Sequence, residues 1–382
     1  MANNIVLPTL LVYTPITGTN TFVDDISSYV TGYTHTTRRI GGYWSASWKM
    51  YRETMADSWW NEWRTNRFFY HLVEQVNGLT SWEGAIQLIQ PDDEKGLLDI
   101  TAYGYVHTIQ DRYSSTTDTG TTDADVWIET IRTTDCPYIA SSALTANTLQ
   151  CYKAGNERCW DEMLKIVELG DGSGTLTAAP YQLGVYQDRR LIYAPTSTTP
   201  VGYVRNGLKW RIDGLGDVRN YVIVRYTDET GAAQADIPHQ NTESVALYGR
   251  REERLERSNL PTTSADALCY AYLNLHAYPQ PRAVGCSKDI QIYDSIGCNS
   301  EINQWMVQPG VFVDTTQESP SQYLSYWLPD SSYFLVDEIV ANEKGVQLRT
   351  SSWDELDALE AYYDYIADAP DEPKRKRKKK KK

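Results

Sequence analysis

The sequence is short of the residues that build metal centres and covalent cross-links. Its 382 residues include five histidines, His35, His71, His107, His239 and His276, scattered along the chain. Its six cysteines, Cys136, Cys151, Cys159, Cys269, Cys286 and Cys298, form no CxxC pair. Zinc is therefore not expected, and six cysteines over this length are too sparse for a disulfide framework, so buried free thiols in a reducing compartment are the expectation. Long apolar runs are also missing. The stretch Ile5-Val6-Leu7-Pro8-Thr9-Leu10-Leu11-Val12 is broken by Pro8 and has no basic flank, which argues against both a signal peptide and an integral membrane segment. No Gly-x-Ser-x-Gly elbow, His-Glu-x-x-His helix or EF-hand loop occurs. Gly170-x-Gly172-x-Gly174 lacks the Lys-Ser/Thr of a phosphate loop and follows a helical pattern instead of preceding one, so it reads as a turn. No cofactor and no metal are expected.

Phenylalanine is scarce as well, with 5 residues against 28 Tyr and 12 Trp, so nearly all the aromatic surface carries a polar handle. Such rings suit interfaces, and they also populate β-strands. Trp44, Trp48, Trp59, Trp60 and Trp63 cluster within twenty residues. They are candidates for a subunit interface or local core, and a sugar-stacking platform is the competing assignment. The net charge of -14 is unevenly placed. Lys374, Arg375, Lys376, Arg377, Lys378, Lys379, Lys380, Lys381 and Lys382 carry +9, which leaves the rest of the chain at -23. That body repels nucleic acid, whereas the tail is a candidate for binding DNA or an acidic partner patch, including the acidic run just before it. The carboxylate groups Asp92/Asp93/Glu94 and Glu252/Glu253 fall in a turn and a charge-alternating run, and read as solvated.

Periodicity predicts a mainly β chain with helices (α+β). Strand patterns cover residues 5–13, 40–50, 67–76, 79–90 and 97–109, with Asn77-Gly78 predicting a type I′ hairpin. Helical spacing appears at Ala56–Thr65, with Asp57 or Ser58 as cap, at Asp123–Ile131, and at Arg158–Leu169. It returns between Pro261 and Tyr278, with Thr262, Thr263 or Ser264 as cap. Further strands are predicted at 181–186, 190–194, 208–212 and 221–226, then a closing hairpin from Tyr333 to Thr350 and an acidic helix from Trp353 to Tyr365.

Five stretches in order carry a family likeness. They are Trp44-Ser-Ala-Ser-Trp48, Trp82-Glu83-Gly84-Ala-Ile-Gln, and Leu98-Asp-Ile-Thr-Ala-Tyr-Gly104-Tyr. Then come Glu243-Ser244-Val-Ala-Leu-Tyr248-Gly249-Arg-Arg-Glu252-Glu with Thr262-Thr-Ser-Ala-Asp-Ala267, and Pro309-Gly310-Val-Phe-Val with the closing hairpin. Gly84 and Gly104 are read as places where strands bend or approach closely, and Tyr248-Gly249 as a turn before a helix. Together these stretches resemble the hub proteins of phage tails and related contractile injection systems, the fold of the baseplate hub and of the front part of tail-associated lysins.

The resemblance implies two tandem hub-type β-barrels with a helical insertion. Residues 1–110 would form the first barrel, completed by about 181–220, with 111–180 inserted. Residues 221–352 would form the second barrel, including the helix 262–278, followed by an acidic segment at 353–373 and the basic tail at 374–382. It further implies a homotrimeric ring without enzymatic activity in the virion tail tip, assembled in the host cytoplasm. That ring would join a six-fold tail tube or distal tail protein to a three-fold tip, spike or fibre, and phage DNA would pass through its lumen without specific binding. The alternatives are a distal tail ring protein, a carbohydrate-binding adhesin and a hydrolase with an unrecognised site.

Overall fold

The computed structural model describes residues 7–16, 20–150, 155–172, 181–197, 201–204, 210–212, 216–279, 281–283, 292–294, 300–314 and 334–349. The acidic helix expected at Trp353–Tyr365 and the basic tail lie outside them. The first part of the chain is an antiparallel meander wrapped by one helix: β1 (Thr9–Tyr13), β2 (Phe22–Asp25), β3 (Val30–Arg38), β4 (Ile40–Tyr51), α1 (Asp57–Asn66), β5 (His71–Val76), β6 (Leu79–Asp92) and β7 (Leu97–Tyr103). They run across the sheet in the order β2-β1-β5-β6-β7-β4-β3. Asn77 and Gly78 have φ of 52° and 77°, which is the left-handed pair a type I′ turn needs. On α1, Trp60 and Trp63 turn inward onto Leu10, Trp48, Trp82 and Trp305. The expected cap is not used. Ala56 takes the N-cap position without a side-chain bond, and Asp57 instead pairs with Arg52 at 2.9 Å.

The strand expected over 97–109 stops at Tyr103, and the chain turns into α2 (Val106–Gln110). Gly104 causes the change. Its N–H donates to the Trp44 carbonyl at 2.9 Å, and a Cβ there would collide with the Tyr43 carbonyl, so the chain must leave the sheet. Val106 and Ile109, which fit either period in the sequence, then bury as an i,i+3 pair.

The next part is an α/β layer: α3 (Ala124–Asp135), β8 (Ser141–Leu144), α4 (Cys159–Glu168), β9 (Tyr181–Tyr186) and β10 (Arg190–Pro195). Strand β10 pairs antiparallel with β9 and parallel with β8, and β9 pairs parallel with the first residues of β4. Helices α2, α3 and α4 share a core with these strands that includes Trp127, Ile131, Trp160, Met163, Leu183 and Leu191. At the junction Gly184 faces Gly42, and a Cβ on either would strike the backbone of the other strand.

The remaining elements are β11 (Gly202–Val204), β12 (Trp210–Ile212), β13 (Tyr221–Tyr226), β14 (Ile237–Gln240), α5 (Thr242–Tyr248), β15 (Glu252–Arg257) and α6 (Thr262–His276), then β16 (Pro281–Ala283), β17 (Ile292–Tyr293), β18 (Gly310–Asp314), β19 (Phe334–Val336), β20 (Glu338–Asn342) and β21 (Gly345–Arg349). Strands β14-β13-β15 form a small sheet covered by α6, with Val222, Val224, Leu268, Cys269 and Leu273 between them. Pro261, not a hydroxyl residue, is the N-cap of α6. Gly249, at φ 72°, ends α5 and leads into strand β15, not into a helix. Strands β17-β11-β18-β19 make a second small sheet, and β12 pairs with β16.

The chain is thus mainly β with helices, but the described strands do not close into two tandem barrels. The twelve-stranded sheet is open, with β2 and β21 at the ends of its main path. Strand β4 hands its edge from β7 to β9 near Gly42, which branches the sheet instead of closing it. The closing hairpin β20–β21 pairs with β3, with Ile339 opposite Thr37, so the end of the chain completes the sheet begun by its start. Two buried arginines hold it there: Arg38 meets Glu338 at 2.6 Å and Arg39 meets Asp337 at 2.5 Å.

Candidate functional site

The five clustered tryptophans are brought together in part, but not as a surface. Trp48, Trp60 and Trp63 are at most 2 % exposed and Trp44 is 8 % exposed. Half-buried Trp59 packs against Tyr29 with ring centres 4.5 Å apart. Trp44 lies between the Arg38 guanidinium, 4.0 Å from its ring, and His107, 4.5 Å away. The proposed interface aromatics are therefore core residues, because their strand and helix face the inside of the curled sheet. The indole N–H groups of Trp48, Trp63, Trp82 and Trp305 have no acceptor among the described residues, so the polar handle is buried with the ring. The proposed partner-binding tail, Lys374–Lys382, lies outside the described residues.

Two polar centres were not legible as sites. In the first, Glu74 on β5 receives Tyr33 Oη from β3 at 2.7 Å and Ser81 Oγ from β6 at 2.9 Å, and meets His35 Nδ1 from β3 at 2.5 Å. Strands β3 and β5 are not sheet neighbours, so these bonds cross the inside of the sheet and fix its curl. Burial, with Glu74 beside it, pushes the Tyr33 hydroxyl well above the usual phenol range. The His35 and Glu74 side chains have no exposed surface, so the pair is positioned to hold the fold and not to meet a substrate.

In the second centre, Glu83 on β6 accepts the Arg189 backbone N–H at 2.6 Å. Asp188 and Arg189 have φ of 61° and 53°, a strained turn between β9 and β10 that aims its N–H groups at the carboxylate. Burial pushes Glu83 up to about 7 and His71 down to about 4. His71 Nδ1 lies 2.6 Å from the Tyr105 hydroxyl. This centre joins the first sheet to the α/β layer.

Beside it opens a cleft of about 350 Å³, lined by Phe68, Phe69, Ile86, Tyr138, Asp111 and Arg112 among others. Phe69 has φ 63°, unusual for an aromatic residue, and its N–H reaches the Ile86 carbonyl next to the bulge at Gln87. The turn leaves Phe68 46 % exposed. The cleft has an apolar floor and one acid beside one base, which can seat an apolar side chain but does not bring two acids together. The sequence gave no signal for it, since residues 68, 111 and 138 meet only through the fold. The carboxylates considered for hydrolysis also do not converge. Asp92 pairs with Lys95, Asp93 with Arg64, Glu252 with Arg250 and Glu253 with Arg219, at 2.6 to 2.9 Å. Among the described residues no group of His, Cys, Asp or Glu could hold a metal ion. No helix among them is long and apolar enough to cross a membrane.

The sequence matches no protein-family model and no curated protein. The fold does have solved counterparts. Prophage tail protein gp18 from Listeria monocytogenes EGD-e is similar with a TM-score of 0.56 at 13 % identity, covering 94 % of this chain and 99 % of that one. The tail protein from Neisseria meningitidis MC58 gives 0.55 at 10 % identity, covering 89 % and 96 % of the two chains. The 43 kDa tail protein of prophage MuSo2 from Shewanella oneidensis gives 0.55 at 9 %, covering 90 % and 98 %. Over nearly its whole length, then, this chain has the fold of phage tail proteins, the group its five sequence stretches resemble.

Proposed function

We propose that this chain is a structural protein of a phage tail tip, a homotrimeric hub ring that adapts a six-fold tail tube or distal tail ring to a three-fold tip. The observation that carries this reading is the fold shared with three tail proteins across about nine-tenths of the chain. In this role the protein works by geometry, not bond chemistry, and its buried ionisable groups serve as joints between distant segments: Glu74 between β3 and β5, Glu83 between β6 and the β9–β10 turn, Arg39 between β3 and β20. A body carrying -23 would suit a DNA channel, because carboxylates facing the lumen let a polyanion slide without adhering. The nine basic residues at the end would dock on an acidic neighbouring tail protein. Partners on either side would be tail-tube or distal tail proteins and a spike or fibre, all within the virion.

A distal tail ring is the nearest alternative and differs by being six-fold. A sugar-binding adhesin would need exposed, coplanar tryptophan faces, and the burial of Trp44, Trp48, Trp60 and Trp63 speaks against it. Light scattering of the purified protein, alone and mixed with its tail partners, tests the reading. Particles of three chains support it, whereas six-chain particles, or monomers that stay apart from every tail component, would refute it.

A further inference from the structure

The described cysteines are not equivalent. Cys269 is buried under the small sheet, and its thiol donates to the Ile237 carbonyl at 3.4 Å. Cys136 and Cys159 instead face each other. Cys136 ends α3 and Cys159 begins α4, and both belong to the core of the α/β layer at 2 % and 0 % exposure. The Cys136 thiol is hydrogen-bonded to Cys159. The backbone anchors both ends: Cys136 N–H donates to Arg132 O at 3.2 Å and Cys159 N–H to Arg112 O at 2.9 Å.

The pair sits directly behind the cleft. Tyr138, two residues after Cys136, lines that cleft, and so does Arg112, whose carbonyl holds Cys159. The Arg112 charge also acts on Cys136 in the sense that favours its thiolate, against the larger effects of burial and the neighbouring thiol. Solvent therefore comes within a residue of the two sulfurs, with a cation nearby.

We propose that Cys136 and Cys159 are a redox-modification site, a dithiol that a small peroxide reaching the cleft closes to a disulfide. One thiol, losing its proton to water, attacks the peroxide O–O bond to give a sulfenic acid and one water. The partner thiol then attacks that sulfur, the S–S bond forms and a second water leaves. Two thiols are oxidised as one peroxide is reduced to two waters. The product ties the end of α3 to the start of α4 across a segment that contains β8, fixing the helical layer against β9 and β10. This site stands whether or not the chain forms a tail ring.

The test exposes the folded full-length protein to hydrogen peroxide, alkylates remaining thiols in denaturant and maps the peptides without reductant. Most chains should carry a peptide containing Cys136 linked to one containing Cys159, and Tm should rise by about 3–6 °C. Full alkylation of both cysteines, their over-oxidation without a link, or a link from Cys159 to Cys151 would overturn the proposal. In Cys159→Ser the peroxide-dependent rise in Tm should vanish, and its persistence would also count against the site. Should that variant not fold, the peptide map of the unaltered protein decides alone.

Discussion

Glycine and buried charge do the most specific work at the residue scale. Gly104 allows β7 to end against Tyr43, so Gly104→Ala should cost about 3 kcal/mol or prevent folding, as read by urea denaturation. An unchanged midpoint would contradict the close approach. Glu83 and the two buried histidines make opposite contributions to pH dependence. With Glu83 held at about 7 in the fold against an ordinary 4.5, the native state keeps a proton that the unfolded chain has lost. Its contribution is therefore present below about pH 4.5 and lost as pH rises through about 7. Glu83→Gln should remove a fall of about 3 kcal/mol over that window in urea midpoints measured against pH. Burial lowers His71 to about 4 and His107 to about 3, so their contributions are present above about pH 6.5 and are lost as pH falls through those values. Ring titration by NMR should find both histidines neutral at pH 5, and a midpoint near 6.5 for either would contradict its buried placement.

Elements with local causes were legible in the sequence. The Asn77-Gly78 hairpin needs only two residues that accept positive φ, and Tyr221–Tyr226 alternates cleanly enough to give β13 its observed limits. The helix at α4 follows from its apolar spacing. What the sequence could not display was contact between segments far apart in the chain. Val106–Ile109 fits a strand until Gly104 meets Tyr43, and nothing near residue 83 signals a strained turn at Asp188 and Arg189. The two barrels failed for the same kind of reason, since the branching of β4 and the pairing of β20 with β3 are long-range. That last pairing makes its own prediction. Arg39 is 3 % exposed and also bonds the Tyr181 carbonyl, so Arg39→Ala strands Asp337 and should cost about 3 kcal/mol. A cycle with Asp337→Asn should show strong coupling between the two, and additive costs would mean the hairpin is held by its backbone pairing alone.

Across the whole molecule, three cores are joined into one body by a sheet whose strands come from both ends of the chain. The first lies inside the curled meander, the second under α2–α4 and the third beneath α6. That arrangement is shared with three tail proteins at no more than 13 % identity, so it is kept by pattern and not by particular residues. The acidic body and basic end are legible from composition alone, while the surfaces that meet other tail proteins depend on assembly. Reconstruction of intact phage tails by electron cryomicroscopy, without imposed symmetry, tests the proposed role most directly. The account predicts three copies of this chain in one ring where the six-fold tube meets the tip. Six copies, or density for this chain only away from that junction, would contradict it.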